Sequence, residues 1–353
     1  MLHGKLRIIL FDAKPYDQEF FNKINQDPRY GYEIHYITGH LTEDTAALSA
    51  GFDCVCVFVN DDVSAPVINK LYQNGIRILA LRSAGYNNVD LDATYRKIHI
   101  VRVPAYSPHA IAEHTVALML SLNRKTHRAY LRTRENNFTI NGLLGFDMHG
   151  KTAGVIGTGK IGKAVIGILK GFGMRILAFD VYPDHKFAEQ TGIEYVNLDT
   201  IYQQSDIVTL HCPLTPENVH MINTDTISRM KDGVMIINTG RGKLLNTRDL
   251  ITGLKEKKIG CAGLDVYEEE GDYFFEDFSA EPISDDILAR LLSFPNVLVT
   301  SHQAFFTREA MEKITETTLE NIRTYFEQNL LPNEICYRCS EGQCTKAITG
   351  HCF

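Results

Sequence analysis

Short apolar runs alternate with polar stretches along the first hundred residues. The runs read LRIILF, CVCVFV, RILAL and IHIVRV, and helix-compatible segments such as SAPVINKLYQNG separate them. Alternation of strand-like and helix-like segments is typical of a parallel sheet covered by helices. The pattern therefore predicts an α/β fold for the front of the chain.

The same alternation begins again after Gly150. Six strand candidates follow in order, each separated from the next by a segment with helical spacing: KTAGVIG, RILAFD, SDIVTLHC, GVMIINTG, IGCAGLDV and NVLVTSH. Six strands in βα order fit a Rossmann-type doubly wound parallel sheet. The sequence thus predicts two α/β sheets in one chain.

Two long helical patterns lie outside these alternations. The stretch PHAIAEHTVALMLSLNRKTHRAYLRTREN is apolar on one broad face, and its pattern predicts a single helix that begins at Pro108. We expect this helix to link two domains or to pack across a second subunit. The amphipathic run TREAMEKITETTLENIRTYFEQ near the end of the chain predicts a last helix that docks on the first domain.

Composition narrows the function classes. A chain of 353 residues is long enough for about two domains, and its net charge of −7 comes without any Lys/Arg block. Nucleic-acid binding and a polybasic membrane anchor are therefore not expected. The N-terminus lacks the layout of a signal peptide, and no apolar run approaches the length of a membrane span, so we expect a cytoplasmic protein with a small-molecule substrate.

The eight cysteines fall into two groups. Four lie in apolar runs and are expected to be buried, reduced thiols, namely Cys54, Cys56, Cys212 and Cys261. Four lie in the tail with the spacing C-x2-C-x4-C-x7-C, namely Cys336, Cys339, Cys344 and Cys352. These thiols and the nearby His351 could ligate zinc. A short tail with few apolar residues to fold around a metal favours incidental thiols instead, so no metal is predicted.

A glycine fingerprint opens the second alternation. Gly157, Gly159 and Gly162 directly follow a predicted strand, and Asp180 ends the next strand. This is the layout of a dinucleotide site, in which the glycines allow a tight turn, close approach of the pyrophosphate and helix–strand packing. A carboxylate at Asp180 can accept from a ribose 2′-hydroxyl and would repel a 2′-phosphate, which favours NAD over NADP.

Three later strands end in polar residues suited to the reduction of a 2-oxo acid. Arg241 follows GVMIINTG, the acids of LDVYEEE end the next strand, and His302 follows NVLVTS. An arginine fork can hold a carboxylate and a carbonyl oxygen, and a histidine can protonate that oxygen as hydride arrives. One glutamate beside the imidazole would stabilise its protonated form, although spacing alone does not say which.

At this level the chain resembles the D-isomer-specific 2-hydroxyacid dehydrogenases, and within them the fermentative NAD-dependent D-lactate dehydrogenases. The motifs that carry the resemblance are RSAGYNNVDLDA, VPAYSPHAIAEHTVALML, MHGKTAGVIGTGKIG, LHCPLTPEN, INTGRG, LDVYEEE, FFEDFS and SHQAFFT. It implies that a Rossmann NAD domain, residues 103–302, is inserted into a flavodoxin-like α/β substrate domain, residues 1–102 and 303–335. Residues 336–353 would form a Cys-rich C-terminal extension, and the active site would lie between the domains.

The resemblance also assigns residues. It implies a catalytic trio of Arg241, Glu270 and His302, with Glu268 and Glu269 at variable positions. The implied cofactor contacts are Gly157, Gly159, Lys160, Ile161, Gly162, Asp180, Cys212, Pro213, Asn218, Thr239, Gly240 and Asp265. The implied substrate contacts are Ala84, Gly85, Tyr106, Arg241 and Phe305. The chain departs from the family pattern at Gly240, often serine, and at His109, often asparagine.

The function implied is an NAD-dependent D-lactate dehydrogenase, a homodimer or homotetramer that reduces pyruvate. Two alternatives stay open at this stage. One is a dehydrogenase for a bulkier D-2-hydroxy acid, which would reduce phenylpyruvate or 2-oxoisocaproate. The other is an NAD-sensing, corepressor-like binding protein, because such proteins share the fold and can retain the trio.

Overall fold

A computed structural model describes residues 5–335 and 346–353 and divides the chain into two compact units. The first unit comprises Met1–Ser107 and Thr307–Phe353, and the second comprises Pro108–Phe306. Both boundaries lie a few residues further along the chain than the expected limits at residues 102 and 302. The tail cysteines Cys336, Cys339 and Cys344 lie outside the described residues, so the zinc hypothesis stays untested.

The first unit contains a five-stranded sheet whose neighbouring strands are all parallel, in the order β2-β1-β3-β4-β5. This is the flavodoxin-like order, and it confirms the expected fold class. The strands are β1 Arg7–Leu10, β2 Glu33–Tyr36, β3 Cys54–Val57, β4 Ile78–Leu81 and β5 His99–Val101. The helices between them are α1 Pro15–Ile24, α2 Ala65–Gln73 and α3 Leu91–Thr94, with a 3₁₀ turn at Thr45–Ser49.

Alternate residues of these strands face two different hydrophobic cores. Ile9, Val55 and Leu79 pack against α2, whereas Ile8, Cys54 and Ile78 pack on the opposite face. This follows from the two-residue period of side chains along a strand. Of the four cysteines expected in the interior, Cys54 and Cys56 are fully buried, while Cys212 and Cys261 are only partly buried; all four are free thiols.

The second unit contains seven parallel strands in the order β12-β11-β10-β9-β6-β7-β8, the Rossmann arrangement that was expected. The strands are β6 Thr152–Ile156, β7 Arg175–Phe179, β8 Glu194–Tyr195, β9 Ile207–Leu210, β10 Val234–Asn238, β11 Ile259–Leu264 and β12 Val297–Val299. The helices are α4 Pro108–Arg124, α5 Thr126–Arg134, α6 Lys160–Gly171, α7 His185–Thr191, α8 Leu198–Gln204, α9 Thr224–Ser228, α10 Thr247–Lys255 and α11 Asp286–Leu292. The 3₁₀ turns are Pro216–Asn218, Gly242–Leu244 and Glu270–Asp272.

The prediction of a single long helix after Pro108 is wrong, because the structure has two helices there, α4 and α5. Lys125 separates them with a left-handed backbone, φ 50°, and its ammonium donates to the carbonyl of Leu144. One face of α4 packs against the sheet through residues such as Val116 and Met119, whereas no residue of α5 is buried. The apolar stripe that predicted the first helix therefore ends where contact with the sheet ends.

The last long helix, α12 Arg308–Gln328, packs on the first unit as expected. Leu319 and Ile322 are buried in the same core as α1 and the strands, and Lys23 on α1 lies 2.8 Å from Glu312. No helix of the described residues is long and apolar enough to cross a membrane.

The end of the tail, which includes α13 Lys346–Thr349, folds back onto the first unit. The Phe353 ring stacks on His99 with centroids 4.3 Å apart, and the Cys352 amide donates to Glu334 at 2.6 Å. Glu334 is buried and its other oxygen lies 2.6 Å from Nδ1 of His99. The described end of the extension is thus a packed part of this unit.

Candidate active site

The turn after β6 has the shape that a dinucleotide requires. Gly157 has φ 94°, and a Cβ there would lie 2.5 Å from the backbone of Cys212; a Cβ at Gly162 would lie 2.0 Å from the carbonyl of Gly157. A Cβ at Gly159 would meet nothing within 4 Å, and Lys160 begins α6 beside it, exposed. Two glycines therefore close the turn, and the third leaves open space at the N-terminus of α6, where a pyrophosphate can bind. Ile161 follows in the first turn of the helix and is partly buried.

Asp180 lies at the end of β7, and its carboxylate is held in place from two sides. One oxygen accepts from the amide of Thr158 at 2.6 Å and from its hydroxyl at 3.0 Å, and the other accepts from the Tyr182 amide at 2.9 Å. Partial burial works to raise the pKa of Asp180, but these hydrogen bonds outweigh it and hold the pKa below its usual value. An ionised carboxylate retains lone pairs for a ribose hydroxyl, so the residues present fit NAD.

Two further loops carry expected cofactor residues. After β9, the Asn218 amide donates to the carbonyl of Pro213 at 2.7 Å and lies 3.9 Å from the sulfur of Cys212. Burial raises the pKa of Cys212 to about 11, so the thiol is protonated at neutral pH. After β10, the hydroxyl of Thr239 lies 2.9 Å from that of Thr115 on α4, and the Gly240 amide donates to Asn238.

His302 and Glu270 meet in the structure. Nδ1 of His302 lies 2.9 Å from Oε1 of Glu270, and the two side chains are 25% and 26% exposed. The other oxygen of Glu270 accepts from the Tyr267 amide at 3.0 Å. Because an ionised carboxylate only accepts hydrogen bonds, Nδ1 carries the proton in this contact and Nε2 is left for other chemistry.

Asp265 fixes residues 300–304, which we call the His302 loop. The Asp265 carboxylate is fully buried and accepts from the hydroxyl of Thr300 at 2.5 Å and from the amides of Gln303 and Ala304 at 2.9 and 2.8 Å. Its carbonyl accepts from the His302 amide at 2.9 Å. The cofactor contact expected for Asp265 is untested; the described contacts of its carboxylate instead hold the loop in which His302 has φ 51°.

Arg241 begins the turn after β10 and is half-buried. Its Nη1 donates to the carbonyl of Gly240 at 2.8 Å, and among the described residues it has no carboxylate partner. The next residue, Gly242, lies so close to the Tyr267 backbone that a Cβ would be 2.1 Å from its carbonyl oxygen. The turn that carries Arg241 therefore packs directly on the loop that carries Glu270.

Two side chains in this region, Glu268 and His114, make contacts that the sequence did not predict. Glu268 accepts from the amide and hydroxyl of Thr247 at 2.6 and 2.7 Å and from Nε2 of His220 at 2.8 Å, so it joins α10 to the loop after β9. His114 on α4 lies 3.0 Å from the Thr300 hydroxyl and 3.4 Å from Asp265. Neither contact has a local sequence signal, because each joins segments far apart along the chain.

The residues expected to bind substrate are distributed over both units. Ala84 and Gly85 lie in the loop after β4 and are partly buried, as is Tyr106 near the end of the same segment of the first unit. Phe305 follows the His302 loop in the second unit and is 9% exposed. Glu269 is exposed, and no hydrogen bond of its side chain is found among the described residues.

Comparison with known proteins identifies the family of the chain. Residues 116–304 match the NAD-binding domain of the D-isomer-specific 2-hydroxyacid dehydrogenases. Over 331 residues the chain is 50% identical to the D-lactate dehydrogenase of Escherichia coli, an alignment that covers 94% of this chain and all of that protein. The chain belongs to the D-isomer-specific 2-hydroxyacid dehydrogenases.

Solved structures of this family extend the likeness to the whole fold. The apo-structure of the E. coli enzyme covers 94% of this chain and all of its own, with 48% identity and a TM-score of 0.86. A structure of the pyruvate reductase of Chlamydomonas reinhardtii is 42% identical with a TM-score of 0.89, and it covers 93% of this chain and 98% of its own. A D-2-hydroxyisocaproate dehydrogenase is 30% identical with a TM-score of 0.81 and covers 94% and 99%. Family membership makes this chain an NAD-dependent dehydrogenase of D-2-hydroxy acids.

Proposed function

We propose that the protein is a D-lactate dehydrogenase that reduces pyruvate with NADH. The observation that carries the proposal is the contact between Glu270 and His302, whose loop Asp265 fixes. The nearby turn presents Arg241, which has no carboxylate partner within the part of the chain that the structure describes. Reduction of a 2-oxo acid requires a general acid, here His302, and a cation that can bind the substrate carboxylate, here Arg241.

NAD, when bound, supplies the hydride acceptor or donor. The chain's own residues do the rest. Arg241 binds the carboxylate and the carbonyl oxygen of the 2-oxo acid and stabilises the negative charge that develops on that oxygen. His302 delivers a proton to the same oxygen from Nε2. Glu270 accepts from Nδ1, which fixes the orientation of the ring and directs Nε2 to the substrate.

The substrate assignment rests on the small pocket that Tyr106 and Phe305 are expected to wall and on the names of the relatives. Two of them are a D-lactate dehydrogenase and a pyruvate reductase, and both are more similar to this chain than the D-2-hydroxyisocaproate dehydrogenase. We propose that Tyr106 and Phe305 limit the space beside the 2-oxo carbon to a methyl group, while the backbone at Ala84 and Gly85 receives the carboxylate. A bulkier 2-oxo acid is the alternative.

The test compares kcat/KM for pyruvate, 2-oxoisocaproate and phenylpyruvate by following NADH oxidation with the full chain. We expect pyruvate to be preferred at least tenfold over each of the others. A tenfold preference for either larger acid would replace the lactate assignment with the alternative. Absence of turnover with all three, with NADH still bound, would favour an NAD-sensing binding protein.

We also propose that the chain self-associates through residues 126–146. The exposed side chains of this segment include Phe138 at 74%, Ile140 at 81% and Leu144 at 88%. A nine-residue helix such as α5 is marginal alone in water, and no residue of α5 is buried, so a second copy is a suitable cover. Light scattering should give a dimer or tetramer for the parent and a smaller species for Ile140→Glu/Leu144→Glu; equal masses would contradict this surface.

A further inference from the structure

The loop after β4 presents two consecutive backbone amides that have no acceptor among the described residues. Residues 83–86, which we call the carboxylate loop, include the amides of Gly85 and Tyr86. Across residues 5–335 and 346–353 neither amide donates a hydrogen bond. Successive free amides in a partly buried loop form a concave site for an anion. The two N–H groups can bind one anion only if the peptide planes that carry them are held in fixed orientations.

The first amide is fixed by an arginine from another strand end. Nη1 of Arg102, which follows β5, donates to the carbonyl of Ala84 at 2.8 Å. The Ala84 carbonyl and the Gly85 N–H belong to one planar peptide, and in a trans peptide they point in opposite directions. Holding the oxygen toward Arg102 therefore turns the Gly85 N–H away from it. A charged donor also polarises the peptide, which strengthens the N–H as a donor.

The second amide is fixed by a short-range contact. The hydroxyl of Ser83 donates to the carbonyl of Gly85 at 2.8 Å, and this carbonyl shares its peptide plane with the Tyr86 N–H. The two planes are thus held by independent donors. Ser83 is itself tied down, because its carbonyl accepts from the Val103 amide at 3.0 Å.

The backbone of Arg102 is itself held in place, so its side chain can hold the Ala84 carbonyl in a fixed direction. Its own amide donates to the carbonyl of Asn333 at 3.2 Å, and its carbonyl accepts from the Asn321 side chain at 3.0 Å, so its backbone is tied to α12 and the segment after it. Its guanidinium lies 5.0 Å from the centre of the Tyr86 ring. Among the described residues no carboxylate pairs with it, so no competing acceptor draws its guanidinium away from the Ala84 carbonyl.

We propose that Arg102 is a positioning residue for substrate binding: through the Ala84 carbonyl it aims the Gly85 amide at the carboxylate of the 2-oxo acid, and Ser83 does the same for the Tyr86 amide. This inference rests on the proposed function, since it takes the carboxylate loop as the receiver of the substrate. Arg102 has no role in proton or hydride transfer, so its removal should weaken binding of the carboxylate and spare the chemical step.

The test uses Arg102→Met, which keeps an unbranched apolar stem and removes the guanidinium with its donors and charge. Arg77 offers a matched control, because it also donates to backbone carbonyls, those of Tyr72 and Ile76, and also stacks on a tyrosine, with 4.0 Å to the Tyr72 ring. Steady-state kinetics with pyruvate, the dissociation constant of NADH and that of oxamate, a carboxylate analogue of pyruvate, are measured for the parent, Arg102→Met, Arg102→Lys and Arg77→Met.

We expect Arg102→Met to raise KM for pyruvate and the oxamate dissociation constant at least tenfold, with kcat changed less than threefold and NADH binding unchanged. Arg102→Lys should recover part of the loss, and Arg77→Met should match the parent. KM and oxamate binding within twofold of the parent would overturn the proposal. If Arg102→Met does not fold, as judged by NADH binding and thermal melting, Arg102→Gln is judged by the same thresholds.

The outcomes separate this inference from the proposed function. If the parent reduces pyruvate and Arg102→Met keeps the parental kinetics, only the positioning role of Arg102 is contradicted. If the parent reduces none of the 2-oxo acids, the proposed function is contradicted. Oxamate binding by the parent and the variant then still decides whether Arg102 orients an anion site.

Discussion

Glu270 contacts the imidazole of His302, with Oε1 2.9 Å from Nδ1, although two other glutamates directly precede it in the sequence. Glu268 binds Thr247 and His220 instead, and Glu269 is exposed. One backbone turn therefore sends three identical side chains to three different environments. Their substitution by glutamine should give three different results.

Glu270→Gln should lower kcat for reduction. Glutamine is a weaker acceptor than a carboxylate and can turn its NH₂ group toward the ring, so it holds the His302 imidazole less firmly. The measurement is kcat against pH with pyruvate and saturating NADH. Glu269→Gln is the matched control and should keep the parental kcat. A loss of kcat in that variant instead would mean that Glu269, and not Glu270, is the partner of His302.

Glu268→Gln should reduce stability and leave the pH profile of kcat unchanged. The carboxylate accepts from the first turn of α10 and from His220, and a neutral amide weakens these charge-assisted contacts. The expected loss is about 1 to 3 kcal/mol in the free energy of unfolding, measured by denaturant titration. A changed pH profile with unchanged stability would mean that Glu268 acts on the chemistry rather than on the loops.

Asp265→Asn should damage turnover through the position of His302. The carboxylate accepts two backbone amides and a hydroxyl from the His302 loop, whereas an asparagine side chain offers one oxygen and would direct an NH₂ group toward a donor. We expect kcat to fall at least tenfold and the dissociation constant of NADH to change less than threefold. A large loss of NADH affinity with kcat intact would restore the cofactor role that the family resemblance implies for Asp265.

Asp180→Ala should raise KM for NADH and reduce the preference for NADH over NADPH. The variant removes a carboxylate that is kept ionised by Thr158 and Tyr182 and that would repel a 2′-phosphate. The ratio of kcat/KM for the two cofactors should fall at least tenfold. Asp184→Asn, at the partly exposed N-cap of α7, tests for a general charge effect and should keep the parental ratio.

The sequence was sufficient for the features that depend on local order. Glycine spacing predicted the turn at Gly157 and Gly162, and the rule that parallel strands end at one edge predicted that polar residues after β10, β11 and β12 belong together. Strands β2 and β8 were missed because they are short edge strands with exposed residues, so their runs are not continuously apolar.

The remainder depends on contacts between distant segments, which no local pattern encodes. Three of these contacts join residues at least 18 positions apart in the sequence. They are the contact of Lys125 with Leu144 at the break between α4 and α5, that of Glu268 with His220, and that of Arg102 with Ala84. Choosing Glu270 among three glutamates needed the resemblance to a family, because spacing alone allowed any of them to reach His302. The structure supplies the physical reason, which is the direction of the chain after Tyr267.

Asp61 should make the stability of the protein depend on pH. It is 1% exposed and accepts from the amides of Leu41 and Phe58 at 2.6 and 2.7 Å. Burial raises the pKa of Asp61 to about 6, while Arg82 works in the opposite direction. Because the folded-state pKa is above the unfolded value of 3.8, the stabilising contribution is complete below about pH 4 and is lost as pH rises through 6.

Between pH 5 and pH 7.5 this group alone should therefore lower the free energy of unfolding by about 1 to 1.5 kcal/mol. Asp61→Asn does not titrate, so the change in its free energy of unfolding from pH 5 to pH 7.5 should lack this decrease. Its stability should also be lower at both pH values, because one of the two amides loses its acceptor. Asp62→Asn, at the adjacent exposed position, should keep the parental difference; an unchanged difference in Asp61→Asn would mean that Asp61 is ionised in the folded protein throughout this range.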